Sequence, residues 1–115
     1  MIPDLSVELC GVCLPNPLVL ASGILGTEPA LMERVARCGA GAITAKSCGP
    51  EPRSGHRNPT VLHWGPGLIN AIGLANPGIA EALPLLQETA ARLRSIGIPL
   101  IASIFARSAD EFAHM

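Results

Sequence analysis

Three short apolar runs, each followed by a helix-forming stretch, limit this chain to very few architectures. Leu18, Val19, Leu20 and Ala21 make the first run, Ala42, Ile43, Thr44 and Ala45 the second, and residues 100–104 (Leu-Ile-Ala-Ser-Ile) the third. Runs this short, without polar alternation, are expected of strands covered on both faces. After the first, Thr27 is read as a helix N-cap ahead of Glu28 and Pro29, and Leu31, Val35 and Cys38 recur on one face until Gly39 stops the helix. Beyond the second run, Leu83, Leu86, Ala90 and Leu93 repeat at helical spacing, with Pro84 near the start or marking a break, and Gly97 and Pro99 close the segment. Past the third, Ser108 with Glu111 has the form of a capping box. The chain stops at Met115, less than two turns into the helix so capped, and is therefore expected to be truncated.

Repeated strand-helix units imply right-handed crossovers and a parallel sheet. Two architectures use that unit, an open doubly wound sheet and a closed eight-stranded barrel. No GxGxxG follows the first strand, which removes the main support for a dinucleotide-binding open sheet. In a barrel, chemistry gathers at the carboxyl ends of strands, and Ser22, Lys46 and Ser103 each fall at or near such an end. The expected fold is α/β, a (β/α)8 TIM barrel. Such a barrel takes ~250 residues. The 115 residues here would be one piece of a single domain: an N-terminal hairpin at 5–15 and the first three β/α units.

A hydrophobic content of 49% excludes a disordered tail. A net charge of −1 offers no basic footprint for nucleic acid or an anionic membrane, so neither partner is expected. No apolar run approaches the ~20 residues of a membrane span. Asp4 and Glu8 without a basic lead do not form a secretory signal, and the expected location is cytoplasmic. In that compartment Cys10, Cys13, Cys38 and Cys48 are expected as thiols. Cys10-Gly11-Val12-Cys13 resembles a redox pair, but that chemistry needs a helix N-terminus, and Val7, Leu9, Val12 and Leu14 read as strand on both sides of a tight turn at Gly11-Val12. His56, His63 and His114 share no metal-ligand spacing with a cysteine pair, and no metal is expected.

The long excursion from Lys46 to Leu68 is dense in Gly and Pro, with Val61, Leu62 and Trp64 suggesting a small strand, and Glu51, Arg53 and Arg57 are expected to brace its exposed side. Residues 68–78 (Leu-Ile-Asn-Ala-Ile-Gly-Leu-Ala-Asn-Pro-Gly) are too apolar for a solvated loop and too rich in Gly, Pro and Asn for a regular element. Either Asn70 and Asn76 bond their own backbone in an ordinary turn, or the stretch is buried and lines a ligand; interleaving with Ile72 and Leu74 favours the second. Lys46, the only lysine, leaves a buried strand and needs an anion, supplied by Glu51, by Asp4 or by a ligand. Ser22, Ser47 and Ser103, taken singly, serve equally as backbone partners at strand ends.

Asn70-Ala71-Ile72-Gly73-Leu74-Ala75-Asn76-Pro77-Gly78 closely resembles the substrate loop of dihydroorotate dehydrogenases. The blocks Asn16-Pro17-Leu18-Val19-Leu20-Ala21-Ser22-Gly23, Thr44-Ala45-Lys46-Ser47, Glu51-Pro52-Arg53, Asn58-Pro59 and Ile101-Ala102-Ser103-Ile104 follow that family's order over the whole length. The resemblance implies an FMN-binding barrel that oxidises dihydroorotate to orotate in pyrimidine biosynthesis, with hydride passed to FMN. Carried over residue by residue, Lys46 would face both the flavin and the substrate carboxylate, Ser22, Ser47 and Ser103 would contact FMN, and Asn70, Ala71, Ile72, Gly73 and Leu74 would hold the substrate ring. The family's base is a Cys or Ser on a loop after the next strand, beyond Met115, so no catalytic base is expected in this chain and the chain alone is not expected to turn over. Ala71-Ile72 with Asn76-Pro77-Gly78 looks like the NAD-linked class 1B, which works with an iron–sulfur flavoprotein subunit and is oligomeric at full length. The family commonly has Thr where Gly49 stands and often Gly where Ala106 stands. Two other readings remain: a related FMN barrel acting on dihydropyrimidine bases, and a non-enzymatic part-barrel that assembles with itself.

Overall fold

The computed structural model describes residues 3–115. In chain order the elements are β1 (Val7–Leu9), β2 (Val12–Leu14), β3 (Val19–Leu20), α1 (Pro29–Arg37), β4 (Ala42–Thr44), β5 (Val61–Trp64), β6 (Gly67–Asn70), α2 (Ile79–Arg94), β7 (Leu100–Ile101) and α3 (Ala109–His114). They divide into two compact units, one running to Ser47 and including Leu83–Ser103, the other Cys48–Ala82 with Ile104–Met115.

In the first unit β1 and β2 form the expected hairpin, pairing Val7 with Leu14 and Leu9 with Val12. Its turn is Cys10-Gly11, at φ 50° and 78°, one residue earlier than the sequence suggested. Two positive φ values suit a two-residue hairpin turn, and a β-branched Val12 takes the strand in preference to such a position. The parallel sheet follows in the order β3-β4-β7. Central β4 pairs Ala42 with Val19 on one side and Ile43 with Leu100 on the other, and Ala42 and Ile43 are wholly buried. Asn16 sets the entry: its Oδ1 accepts from Leu18 N at 3.0 Å and its Nδ2 donates to Gly39 O at 3.0 Å. The Asn16 carbonyl lies so close to Gly41 that a Cβ there would overlap it.

Helix α1 starts one residue later than expected. Glu28 is the N-cap, makes no side-chain cap bond, and Pro29 opens the helix, where its fixed φ and missing N–H cost nothing. The buried face is Pro29, Met32 and Ala36, while Leu31 remains 37% exposed and Cys38 is exposed. The expected stripe of Leu31, Val35 and Cys38 was thus rotated, and only Val35 meets the core. Met32, Ala36, Ile43, Ala45 and Leu93 form that core, with Leu20, Leu86, Ile98 and Leu100 packed around it. Helix α2 contains Pro84 within its length and continues through it. Leu86 and Leu93 face the core as expected, whereas Leu83 is exposed. Thr89, which an apolar count passes over, is fully buried because its Oγ1 donates to Leu85 O at 2.7 Å. On the outer side Arg92 joins Glu88 of its own helix (2.7 Å) to Glu33 of α1 (2.9 Å), and Glu33 also holds Arg37. These hydrogen bonds hold the Glu33 carboxyl below its usual range, Arg92 having the larger effect.

In the second unit β5 and β6 form an antiparallel ribbon from Val61↔Asn70 to Trp64↔Gly67. Here the sequence reading needs two corrections. Residues 67–70 are regular strand, and the stretch 68–78 is largely exposed, Leu68 at 71%; only Asn76 and Gly78 are buried. The ribbon's cross-strand ladder overrides the low strand preference of Gly and Asn. Asn76 organises the unit: its Oδ1 accepts from Gly49 N (3.1 Å) and Gly78 N (2.9 Å), and its Nδ2 donates to Leu74 O (2.7 Å). Arg53 and Asn76 exchange backbone bonds at 2.8 and 3.0 Å, and the Arg53 guanidinium lies 5.5 Å from the Phe105 ring centre, so Arg53 braces the loop as expected. Ser108 Oγ caps α3 by accepting from Glu111 N at 3.2 Å, and Glu111 reaches back to Arg107 N at 2.7 Å, one residue before the usual capping-box donor.

Among the described residues the fold is α/β, with one three-stranded parallel sheet and two antiparallel pairs, consistent with part of a (β/α) barrel, and no closed barrel is formed. Among the described residues no helix is long and apolar enough to cross a membrane. Ile43→Ala is expected to lower the unfolding free energy by about 2–5 kcal/mol, while Leu31→Ala changes it by less than about 1 kcal/mol; denaturant titration of both variants checks the observed helix face against the expected one. Asn76→Ala leaves two N–H groups and one carbonyl without partners, and is expected to cost about 1–3 kcal/mol and to speed limited proteolysis between Ile72 and Gly78.

Candidate functional site

The carboxyl ends of parallel strands lie side by side, so residues just past β3, β4 and β7 meet although far apart in sequence. Ser22 follows β3, Lys46 and Ser47 follow β4, and Ser103 follows β7. Their hydroxyls touch in a row: Ser22 Oγ to Ser47 Oγ is 2.9 Å and Ser47 Oγ to Ser103 Oγ is 2.7 Å. Ser22 Oγ also donates to Ala45 O at 3.0 Å. The reading of these serines as backbone partners therefore holds for Ser22 in addition to its place in the row.

Lys46 is fixed by its backbone, its N–H donating to Gly26 O at 2.8 Å. Gly26 is required for that approach, since a Cβ there would lie 2.9 Å from Lys46 N. Among the described residues the half-buried Lys46 side chain makes no ion pair. Asp4 is instead turned to Ser6 N at 2.9 Å, and that bond holds its carboxyl below the usual range. Gly23, at φ 89°, borders the ammonium: a Cβ there would sit 3.9 Å from Nζ. The Lys46 ammonium suits a ligand that carries an anionic or carbonyl oxygen.

The second unit holds the other expected group. Asn70 ends β6, and its side-chain amide has no partner among the described residues. Ala71 N donates to Thr60 O at 2.8 Å and Ile72 O accepts from His56 N at 3.0 Å, which pins the loop at two points. Between them and Asn76, the backbone N–H groups of Ile72, Gly73 and Leu74 make no hydrogen bond among the described residues. Gly73 and Leu74 both adopt positive φ, 80° and 55°, and a Cβ on Gly73 would press to 2.7 Å on the His56 ring. Unbonded N–H groups on a loop so held are donors available to an anion or a carbonyl. The two amides thus divide: Asn76 follows the ordinary turn reading, and Asn70 keeps its donors and acceptor.

Cys48, nearest Lys46 in sequence among the thiols, is 1% exposed, and burial pushes its thiol up. It stays protonated at neutral pH and makes no base. Cys10, Cys13 and Cys38 are exposed thiols, and no group of residues able to hold a metal occurs among the described residues. Sequence reasoning missed Gly26 and His56, which position Lys46 and the 72–74 loop; nothing in their local sequence marks the contact, because both partners are remote along the chain.

A family model for dihydroorotate dehydrogenase matches residues 4–115. The chain is 40% identical over 111 residues to the catalytic subunit of dihydroorotate dehydrogenase B (NAD(+)) from Methanocaldococcus jannaschii, covering 96% of this chain and 36% of that protein. It is 46% identical to the Pyrococcus abyssi protein of the same name, with 96% and 36% covered, and 45% identical to that of Methanocella arvoryzae, with 89% and 33% covered. The chain spans about a third of the length of these curated relatives. With a family match across nearly all of its residues and relatives above 40% identity, the chain belongs to the dihydroorotate dehydrogenase family.

Proposed function

We propose that this chain is part of a (β/α)8 barrel enzyme that oxidises dihydroorotate to orotate in pyrimidine biosynthesis. The observation that carries the reading is the row of hydroxyls of Ser22, Ser47 and Ser103 at the carboxyl ends of three parallel strands, with Lys46, which makes no ion pair among the described residues, leaving the central strand beside Ser47 in sequence. That donor and acceptor set fits a flat heteroatom-rich ring such as the isoalloxazine of FMN. When bound, FMN supplies the hydride acceptor. Lys46 would hold negative charge on the substrate carboxylate and on the flavin, its fixed cation favouring hydride acceptance. Ser22, Ser47 and Ser103 orient the flavin. Asn70 binds the substrate ring by its amide, Ile72, Gly73 and Leu74 bind it through backbone N–H groups and shape, and Ala71, whose N–H is held by Thr60 O, contributes by shape.

The proton leaves to a base outside these residues, since Cys48 is buried and protonated. That the relatives are catalytic subunits of an NAD(+) enzyme supports a second subunit that passes electrons onward, here an iron–sulfur flavoprotein.

In the complete protein, anaerobic bleaching of bound flavin by dihydroorotate is expected to slow by about 10²-fold or more in Lys46→Ala. Lys46→Arg is expected to fail similarly, because a planar fork does not replace a compact charge. Asn70→Ala is expected to weaken orotate binding by about tenfold. Near-normal bleaching in Lys46→Ala would refute the assignment, and bleaching by dihydrouracil in preference to dihydroorotate would favour a dihydropyrimidine enzyme.

A further inference from the structure

The serine row has a direction, and the direction limits what it can recognise. A hydroxyl carries one proton and two lone pairs, and a carbonyl oxygen only accepts. Ser22 Oγ donates its proton to Ala45 O at 3.0 Å, so across the 2.9 Å contact it must accept from Ser47. The Ser47 proton is then committed, and across the 2.7 Å contact Ser47 must accept from Ser103. Every proton in the row runs one way, from Ser103 through Ser47 and Ser22 to the Ala45 carbonyl. Ser22 and Ser47 each keep one lone pair.

From this polarity we infer that the row acts toward a ligand as an acceptor only, and therefore reads a hydrogen-bond donor, an imide N–H or a hydroxyl, while turning away phosphate and carboxylate oxygens. The adjacent Lys46 ammonium is donor only. Together they select a ligand that presents an acceptor to the lysine and a donor to the serines. The inference rests on the FMN reading above for the identity of that ligand, and FMN has both kinds of donor, the ring imide and the ribityl hydroxyls. The direction itself follows from the Ala45 carbonyl and owes nothing to the flavin.

Two measurements test it. Neutron diffraction from deuterium-exchanged crystals of the chain is expected to place the Ser103 deuteron toward Ser47 and the Ser47 deuteron toward Ser22; a deuteron directed from Ser47 to Ser103 overturns the inference. Flavin titration of the complete protein then compares FMN with its N3-methyl analogue and with an analogue whose ribityl hydroxyls are replaced by hydrogen. One of the two is expected to bind about tenfold more weakly than FMN, and which one loses affinity identifies the donor. Equal binding of all three also overturns it. If FMN itself does not bind, the proposed function fails, and the deuteron positions still decide the direction of the row.

Discussion

Strand β4 is the constraint on which the first unit depends. It is hydrogen-bonded on both sides, to β3 and to β7, and covered by α1, so its residues are fixed in register as well as in depth. Ile43 N reaches Pro99 O at 3.1 Å and Ala45 N reaches Ile101 O at 3.0 Å. A slip of one residue in such a strand would turn its side chains to the opposite face. Because the pairing is parallel, the same register that buries Ile43 also brings the residues after three separate strands to one edge. Packing and chemistry are therefore set by one ladder.

The second unit reaches its shape differently, through side chains that take over backbone work. Asn76 satisfies three main-chain groups that the loop cannot pair within itself. With the loop held there and at the His56 and Thr60 bonds, the N–H groups between them need not close a turn. Leu74 pays in backbone strain for that arrangement, at a positive φ that a branched side chain seldom accepts. Gly73 relieves the neighbouring position, where His56 leaves no space for a side chain.

Much of this could be read from the sequence, and the failures have physical causes. The three parallel strands were legible because continuous apolar runs of that length have few other uses, though only β4 is buried as expected, with Val19 of β3 41% exposed and β7 half-buried; Ser22, Lys46 and Ser103 were legible as a set because each follows such a run. The mutual contact of Ser22, Ser47 and Ser103 was not, since side-chain direction past a strand end is set by the neighbouring loops. The face of α1 was misread because the helix carries two apolar stripes, Leu31 with Val35 and Cys38 and Met32 with Ala36, and the second is the one buried. The strand at 67–70 was missed because a ladder formed by Leu62↔Ile69 and His63↔Leu68 outweighs the turn-forming reputation of Gly67 and Asn70. The Asn76 brace looked like a ligand contact because an amide that serves backbone and one that serves a substrate are the same residue on paper.

The exposed ribbon has an optical consequence. The chain's one tryptophan, Trp64, stands on β5 at 65% exposure and opposite Gly67, with its indole far more open than any core side chain. Intrinsic emission from this chain is thus a local signal from the ribbon. Anything that covers β5 and β6 would shift it. Fluorescence and circular dichroism, so often used as interchangeable probes of folding, here differ in reach: the first reports the surroundings of Trp64, the second the secondary structure of the whole chain.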